Sequence, residues 1–505
     1  MKDGEREGGP VGVGIDFGTT NSLVAVHTPT SGVTAICTDR ATDLPHPSVV
    51  WYRLDEMPRV GTEAKHQISG YADVTGNVFV QSVKRQLGRR ESFDVFGEKK
   101  SPAEVSADIF RHLLRDARET YKFEIKEAVV TVPVYFDGHA RRELRKAADA
   151  AGLYIKAFLH EPFAALIGYV CRKNNPDSLE EMRGQNILVF DWGGGTLDIT
   201  VGRVEDRSIR ELATAGLADR AGDLFDEMLG RVGKRKFQGR TSVSTDQLTL
   251  KPATKDRYRA ECERCKIALS DASEQALELA EFLRVSSQVL DLSETLSRRD
   301  FEDEIRSIVD DAGRQVDIAL EKAGLTPRQI DLVLLIGGSS RIPLVQQQMR
   351  ERFGHTVVDV PNANSIIAEG AAIADALGFR PAFAASVAIE LSDGTHHDIF
   401  KAGDLAVPDA CNKAVNLFCT DNRDAQARLI VGLADGSNGA FDRKKIIVLP
   451  VSSKLPRPYN HERVVVNLLV DQDLVLQVDA KAATQATGVH DEIVDLRFAV
   501  SFAGA

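Results

Sequence analysis

The sequence predicts an α/β protein of two related lobes followed by an antiparallel β-sandwich. Three observations lead there. One motif occurs twice, as Ile15-Asp16-Phe17-Gly18-Thr19-Thr20-Asn21 and as Phe190-Asp191-Trp192-Gly193-Gly194-Gly195-Thr196. Each copy is an apolar run, one Asp, a tight Gly/Thr turn and a second β-rich run. Asp16 and Asp191 lie 175 positions apart, too far for a solenoid repeat, so each copy belongs to its own lobe. From residue 11 to about 377, β-rich segments alternate with amphipathic helices, the mark of an α/β architecture. After Phe379 that alternation stops and only short strands follow.

Along the chain, residues 1–10 are polar and Gly-rich and read as a flexible tail. Ala128 to Val134 is a buried strand, and Gly138 to Ala151 a helix rich in Arg and Ala. Residues 227 to about 296 are charged and mostly helical in pattern, an inserted subdomain. Ile330 to Ile336 is another buried strand, running into Gly337-Gly338. Arg380-Pro381 breaks the last helix. The first domain therefore covers 11–379, a short linker 380–385 and the β domain 386–505. In the β domain, strands are expected over Val415 to Cys419, Arg428 to Leu433, Lys445 to Leu449, Val464 to Val470, Leu474 to Val478 and Ile493 to Val500. A turn at Asp435-Gly436 separates two of them.

The 505 residues are 43% apolar and 27% charged, ordinary for a globular protein. A net charge of −11 argues against nucleic acid or an anionic membrane as the main partner. No apolar stretch is long enough to span a bilayer, and no signal peptide is evident, so a cytoplasmic protein is expected. Of the six cysteines only Cys262 and Cys265 have metal-like spacing, and no second pair accompanies them. They read as thiols of a reducing compartment.

The chemistry concentrates in the duplicated turns. A turn rich in Gly lets backbone N–H groups approach a phosphate, and Thr hydroxyls add donors. Gly18-Thr19-Thr20-Asn21 and Gly193-Gly194-Gly195-Thr196 both qualify. Mg2+ keeps most of its waters and takes a few carboxylates, for which Asp16, Asp191 and Asp198 are the candidates. One such turn alone would be an ordinary hairpin; two with matched Asp residues point to one cleft holding a nucleoside triphosphate and a metal ion. No P-loop pattern occurs. Gly12-Val13-Gly14 continues as strand and turn, so it is not a dinucleotide fingerprint. Glu263, Lys266 and Ser270 share a helix face by spacing and could line a base, although alone they would be a solvated face. Gly337-Gly338-Ser339-Ser340-Arg341 could lie opposite, with the glycines admitting a planar ring and Arg341 stacking on it.

These segments resemble one family, the 70-kDa heat-shock chaperones (DnaK-like), within the actin and sugar-kinase ATPase superfamily. Val130 to Phe136, Glu161-Pro162-Phe163-Ala164-Ala165 and Leu335 to Pro343 match it in order, together with both hairpins. Val470 to Lys481 is a weaker match, to the late strands of the family's substrate domain. The resemblance implies a two-lobed actin-like ATPase domain with ribonuclease H-like subdomains, then a β-sandwich. It implies slow hydrolysis of ATP to ADP with Mg2+. Thr19, Thr20, Asn21, Gly193, Gly194, Gly195 and Thr196 would bind phosphates, and Asp16, Asp191 and Asp198 hydrated Mg2+. Lys84 would neutralise the γ-phosphate, while Glu161 and Asp198 order the attacking water. Glu263, Lys266, Ser270, Gly337, Gly338, Ser339 and Arg341 would hold adenosine. Pro133 and Arg141 match the residues that relay nucleotide state.

Departures from the family pattern fall in three places. Gly216 to Asp226 stands where the family usually has a His and two consecutive Gly residues, and of that Gly pair only Gly222 survives. Asn364 replaces an Asp. The acidic, Leu-rich linker gives way to Phe379 to Ser386, which bears on coupling between the domains. No helical lid follows the sandwich, so bound peptide should exchange quickly. The implied partners are unfolded or extended polypeptide, J-domain proteins and nucleotide-exchange factors. An alternative is a nucleotide-timed module for one dedicated folded partner, and a third a small-molecule kinase, against which the chaperone-type motifs speak.

Overall fold

The computed structural model describes residues 12–28, 32–71, 74–171, 177–205, 208–285, 287–360, 363–408, 410–419, 424–434, 441–452 and 462–502. The expected tail at 1–10 and the turn at Asp435-Gly436 lie outside these residues.

Two sheets repeat one topology. In the first lobe, strand Gly12–Phe17 forms a hairpin with Asn21–Thr28, which continues to Val33–Cys37. On the other side Gly12–Phe17 pairs in parallel with Glu127–Val132, and that strand with Tyr154–His160. In the second lobe Asn186–Trp192 pairs antiparallel with Thr196–Glu205, which pairs with Ser208–Ala218. Its parallel neighbours are Leu332–Ile336 and then Val357–Asp359. The register is conserved with the 175-residue offset: Asp16 faces Leu23, and Asp191 faces Asp198. The parallel strands are continuous apolar runs because helices cover both faces; all five residues of Leu332–Ile336 are buried.

Each lobe's last parallel strand leads into a helix, Glu161–Val170 in the first and Ile366–Ala376 in the second. These two helices pack on each other at the junction of the lobes. Small residues set the spacing: a Cβ on Gly370 would lie 1.7 Å from the Ala164 carbonyl oxygen. This crossing fixes the two hairpins relative to each other.

The inserted subdomain is not mostly helical. Helices Gly222–Thr241 and Pro252–Asp271 are followed by a long hairpin, Glu274–Val285 with Gln288–Ser297. Alternate residues of the hairpin, Leu277, Leu279, Leu292 and Leu296, are buried against Phe237 and Phe282.

The β domain is a sandwich of two four-stranded antiparallel sheets. One sheet has the order 396–400, 386–390, 426–434, 441–450; the other 412–419, 462–470, 476–482, 489–493. Val387, Ile389, Val431 and Ile447 meet Val464, Val466, Leu468 and Val478 between them.

Two expectations about its boundaries need correction. The last helix ends at Ala376, before Arg380-Pro381, and Gly378 turns the chain with φ +71°. Phe379–Phe383, inside which the linker was expected to begin, is a β-strand. The run Ile493 to Val500 is likewise not one strand. Val489–Ile493 closes the sandwich, while Phe498–Phe502 crosses to the second lobe and pairs with both Ser208–Ala218 and Phe379–Phe383. The second lobe's sheet thus has seven strands, two of them supplied by segments flanking the sandwich. Pro381 fits because it lies on the outermost strand.

Candidate functional site

Both Gly/Thr turns are built alike. In the first, the Gly18 carbonyl accepts from Ser48 Oγ (2.9 Å) and the Thr20 carbonyl from the Ser48 amide (2.8 Å). In the second, the Gly193 carbonyl accepts from Ser339 Oγ (2.8 Å) and the Gly194 carbonyl from the Asp223 amide (2.7 Å). Carbonyls are pinned to the rear in both. The amides of Thr19, Thr20, Gly194 and Gly195 have no acceptor among the described residues, which is the donor arrangement an anion needs. The turns face each other: a Cβ on Gly194 would lie 2.7 Å from Thr20 Oγ1. The sequence could not show that Arg85 joins them. Its guanidinium lies over Gly195, whose Cβ would meet Arg85 Nη2, and it pairs with Asp219 at 3.1 Å. Asp219 is thus engaged across the cleft, with φ +58°.

Carboxylates collect behind the turns. Asp16 accepts from Thr131 Oγ1 at 2.9 Å, and Asp198 from Thr196 Oγ1 at 2.8 Å. Lys84, 3% exposed, donates to Glu161. Burial and then Glu161 push Asp16 up to about 6 and Asp198 up to about 7. Asp191 rises well above the ordinary carboxylate range through burial, then Glu161, Asp198 and Asp16. Lys84 is the one cation that offsets all three. Three acids and Glu161 against one lysine leave the site short of positive charge. A divalent cation fits that deficit, and the forward-facing amides fit its phosphates.

Of the expected base wall, Glu263, Lys266, Gly337 and Ser339 lie beside the turns or across the cleft, and parts of it are occupied by protein contacts. Glu263 pairs with Lys65 of the first lobe at 3.1 Å, a bridge across the cleft. Lys266 pairs with Asp226 at 2.7 Å and donates to the Gly222 carbonyl at 3.0 Å. The Gly222 amide donates to the Gly193 carbonyl, so the surviving glycine braces the second turn. Gly337, at φ +78°, lies against Asp191: a Cβ there would be 2.6 Å from Asp191 Oδ1. A Cβ on Gly338 would meet nothing within 4 Å, which leaves room beside it. Ser339 serves the turn rather than standing clear in the wall, while Ser270 is half-buried and Arg341 exposed. Asn364 is exposed.

Arg141 lies on helix Gly138–Ala150, yet it is 2% exposed. Its guanidinium donates to the carbonyls of Phe136, Asp473 (2.7 Å), Leu474 (3.2 Å) and Val494 (3.3 Å). Arg145 beside it bonds Asp473 Oδ1 at 2.6 Å, and Arg142 bonds Asp471 and Glu492. The sandwich is therefore docked on the first lobe. Pro133 ends the strand next to this helix, and its carbonyl accepts from the Phe136 amide.

Comparison with known proteins gives a family and relatives for the chain. Residues 12–495 match the family model described as Hsp70 protein. The chain is 32% identical over 367 residues to the chaperone protein DnaK of Thermosipho melanesiensis, covering 72% of this chain and 59% of that one. It is equally identical, over the same length, to the chaperone protein DnaK of Thermosipho africanus, covering 58% of it. The chain thus spans less than two thirds of the length of these relatives.

Proposed function

The chain belongs to the Hsp70 family, and from that premise we propose that it binds and hydrolyses Mg2+-ATP, with nucleotide state controlling the hold of its β domain on extended polypeptide. The observation that carries this reading is the meeting of Thr20 with Gly194, which turns two sets of amides and four carboxyl groups onto one space. A bound Mg2+ supplies charge neutralisation at the phosphates. The chain's own groups do the remaining work. The amides of Thr19, Thr20, Gly194 and Gly195 hold phosphate oxygens, and Asp16, Asp191 and Asp198 hold the ion's water shell. Lys84 leaves Glu161 for the terminal phosphate, which frees Glu161 and Asp198 to orient water. Positioning and charge neutralisation then carry the rate. Gly338, Ser339, Arg341, Ser270, Lys266 and Glu263 form the adenosine wall once the bridge from Glu263 to Lys65 opens.

Coupling runs through helix Gly138–Ala150. Its arginines grip the Asp471–Leu474 loop of the sandwich, and Pro133 leads into it from the strand beside Asp16. The work is that of a cytoplasmic chaperone, with J-domain proteins and exchange factors as co-chaperones; its domains follow 11–379 and 386–505 except that strands Phe379–Phe383 and Phe498–Phe502 both belong to the sheet of the second lobe. No described helix is long and apolar enough to cross a membrane. The test is a fluorescent unfolded peptide bound to the full chain. ATP should accelerate its release, and Lys84→Ala should respond to ATP binding without turnover. A release rate unchanged by ATP would refute nucleotide control.

A further inference from the structure

A second cluster of ligating groups lies on the first lobe, away from the carboxylates of the cleft. Asp39, His46 and His112 each present one donor atom, and the three atoms lie within 4.8 Å of one another. His46 Nδ1 is 3.1 Å from His112 Nε2 and 3.8 Å from Asp39 Oδ2. Tetrahedral ligands held about 2.0–2.1 Å from a zinc-sized ion are spaced by about 3.3 Å. The two spacings from His46 straddle that value, and the third is within 4.8 Å, so modest side-chain shifts would complete three corners of a tetrahedron. The fourth corner opens on a cleft of about 630 Å³ lined by Met57, Arg59, His66 and Arg115.

The surroundings are those of a ligand histidine. His46 is 2% exposed, and its Nε2 faces the Cys37 carbonyl at 3.2 Å. That contact assigns the proton to Nε2 and leaves the Nδ1 lone pair aimed at the cluster. Asp116 Oδ2 lies 3.6 Å from the same Nε2, buried and without a hydrogen-bond partner among the described residues. A carbonyl and a carboxylate behind a coordinating imidazole orient it and raise its basicity. Asp39 is fixed through its other oxygen, which accepts from the Ala41 amide at 2.9 Å. With no ion, Arg115 donates to His112 Nδ1, so His112 carries its proton on Nε2 and gives it to His46. Coordination moves that proton to Nδ1, and the exposed Arg115 gives up its contact.

We propose that Asp39, His46 and His112 form a site for one first-row divalent cation of the zinc class, with an open position toward the cleft. Two imidazoles and one carboxylate suit zinc, cobalt or nickel and not the oxygen-seeking Mg2+. The site touches the nucleotide apparatus through the backbone. His46 pairs with Ser22, and two residues on, Ser48 pins the carbonyls of Gly18 and Thr20. An ion there would stiffen the brace behind the first turn.

The test is titration of the full chain with Co2+ in the presence of excess Mg2+, followed by visible d–d absorption. The expected result is one Co2+ per chain with bands of a low-coordinate nitrogen–oxygen site, displaced by Zn2+. His112→Gln, at the cleft rim, and Asp39→Asn should each weaken binding at least tenfold, as even the loss of outer-shell partners costs about 10–100-fold. Wild-type protein without these bands would overturn the proposal. So would bands of unchanged affinity in His112→Gln and Asp39→Asn.

Discussion

Leu23 and Asp198 occupy one position in two copies of the same hairpin. Leu23 faces Asp16 across the first ladder, and Asp198 faces Asp191 across the second. The apolar copy is 1% exposed and belongs to a core. The acidic copy opens on the cleft and sits within reach of Glu161's charge. The duplication supplies two Gly/Thr turns, but only the second hairpin carries a carboxylate at this position, the one proposed to orient water together with Glu161. Asp198→Asn should therefore cut ATP turnover by about 10²-fold or more while leaving ADP affinity within a few-fold. Single-turnover hydrolysis and calorimetric ADP binding separate the two.

Acidity of the cleft sets a pH dependence. Asp16 and Asp198 stand at about 6 and about 7, raised from 3.8. Between those values the folded, ligand-free chain binds more protons than the unfolded chain. Their contribution to stability is then greatest below pH 3.8 and is lost as pH rises through the raised values. Ligand-free Asp198→Asn should lose less melting temperature than wild type between about pH 5.5 and about pH 7.5, by roughly 2 °C or more. Parallel melting curves would contradict the assigned acidity.

Lys84 and Glu161 are a nearly buried pair, 3% and 12% exposed. Breaking such a pair strands a charge, so Lys84→Ala should destabilise the ligand-free protein by about 3 kcal/mol. Lys84→Ala with Glu161→Ala should recover much of that stability and none of the turnover. Denaturant melts with phosphate-release assays read both quantities. Recovery of turnover in the double variant would remove Lys84 from catalysis.

Gly138 lies directly under the sandwich where it docks on the first lobe. A Cβ there would lie 2.1 Å from Val475 Cγ2, and the Gly138 amide donates to the Val494 carbonyl. Gly138→Val should push the loop off, and Arg145→Ala should strand Asp473, which is 5% exposed. Small-angle scattering should show a larger radius of gyration for both variants, with the melting of the nucleotide domain little changed.

Val500 pairs with Ile209 on one side and Pro381 on the other. Val500→Pro removes a ladder donor from an interior strand. Protease cleavage within 379–390 should become faster than in wild type, because the strand beyond loses its neighbour.

The paired Gly/Thr hairpins were legible in the sequence because their requirements are local. A phosphate turn needs glycines in succession, and a buried strand needs an apolar run, so both hairpins and both central strands could be read directly. The hairpin at Glu274–Ser297 was missed because Glu, Ala and Leu are strong helix formers. Its alternating leucines carried the better signal. The strand Phe498–Phe502 could not be read, since its pairing with Ser208 and Ile209 spans some 290 residues and leaves no local mark. Arg141 was singled out only by resemblance, and its burial could not be read because it depends on carbonyls more than 330 residues away. Part of the base wall was legible by spacing, but its present partners, Lys65 and Asp226, were not.

The central claim is that both hairpins hold one metal-nucleotide. Crystals grown with ADP and Mn2+, measured for anomalous scattering, test it most directly. The account predicts one manganese peak among Asp16, Asp191 and Asp198, with phosphates against Thr20 and Gly194. A nucleotide bound elsewhere, or a cleft that stays free of manganese at saturating ADP, would contradict it.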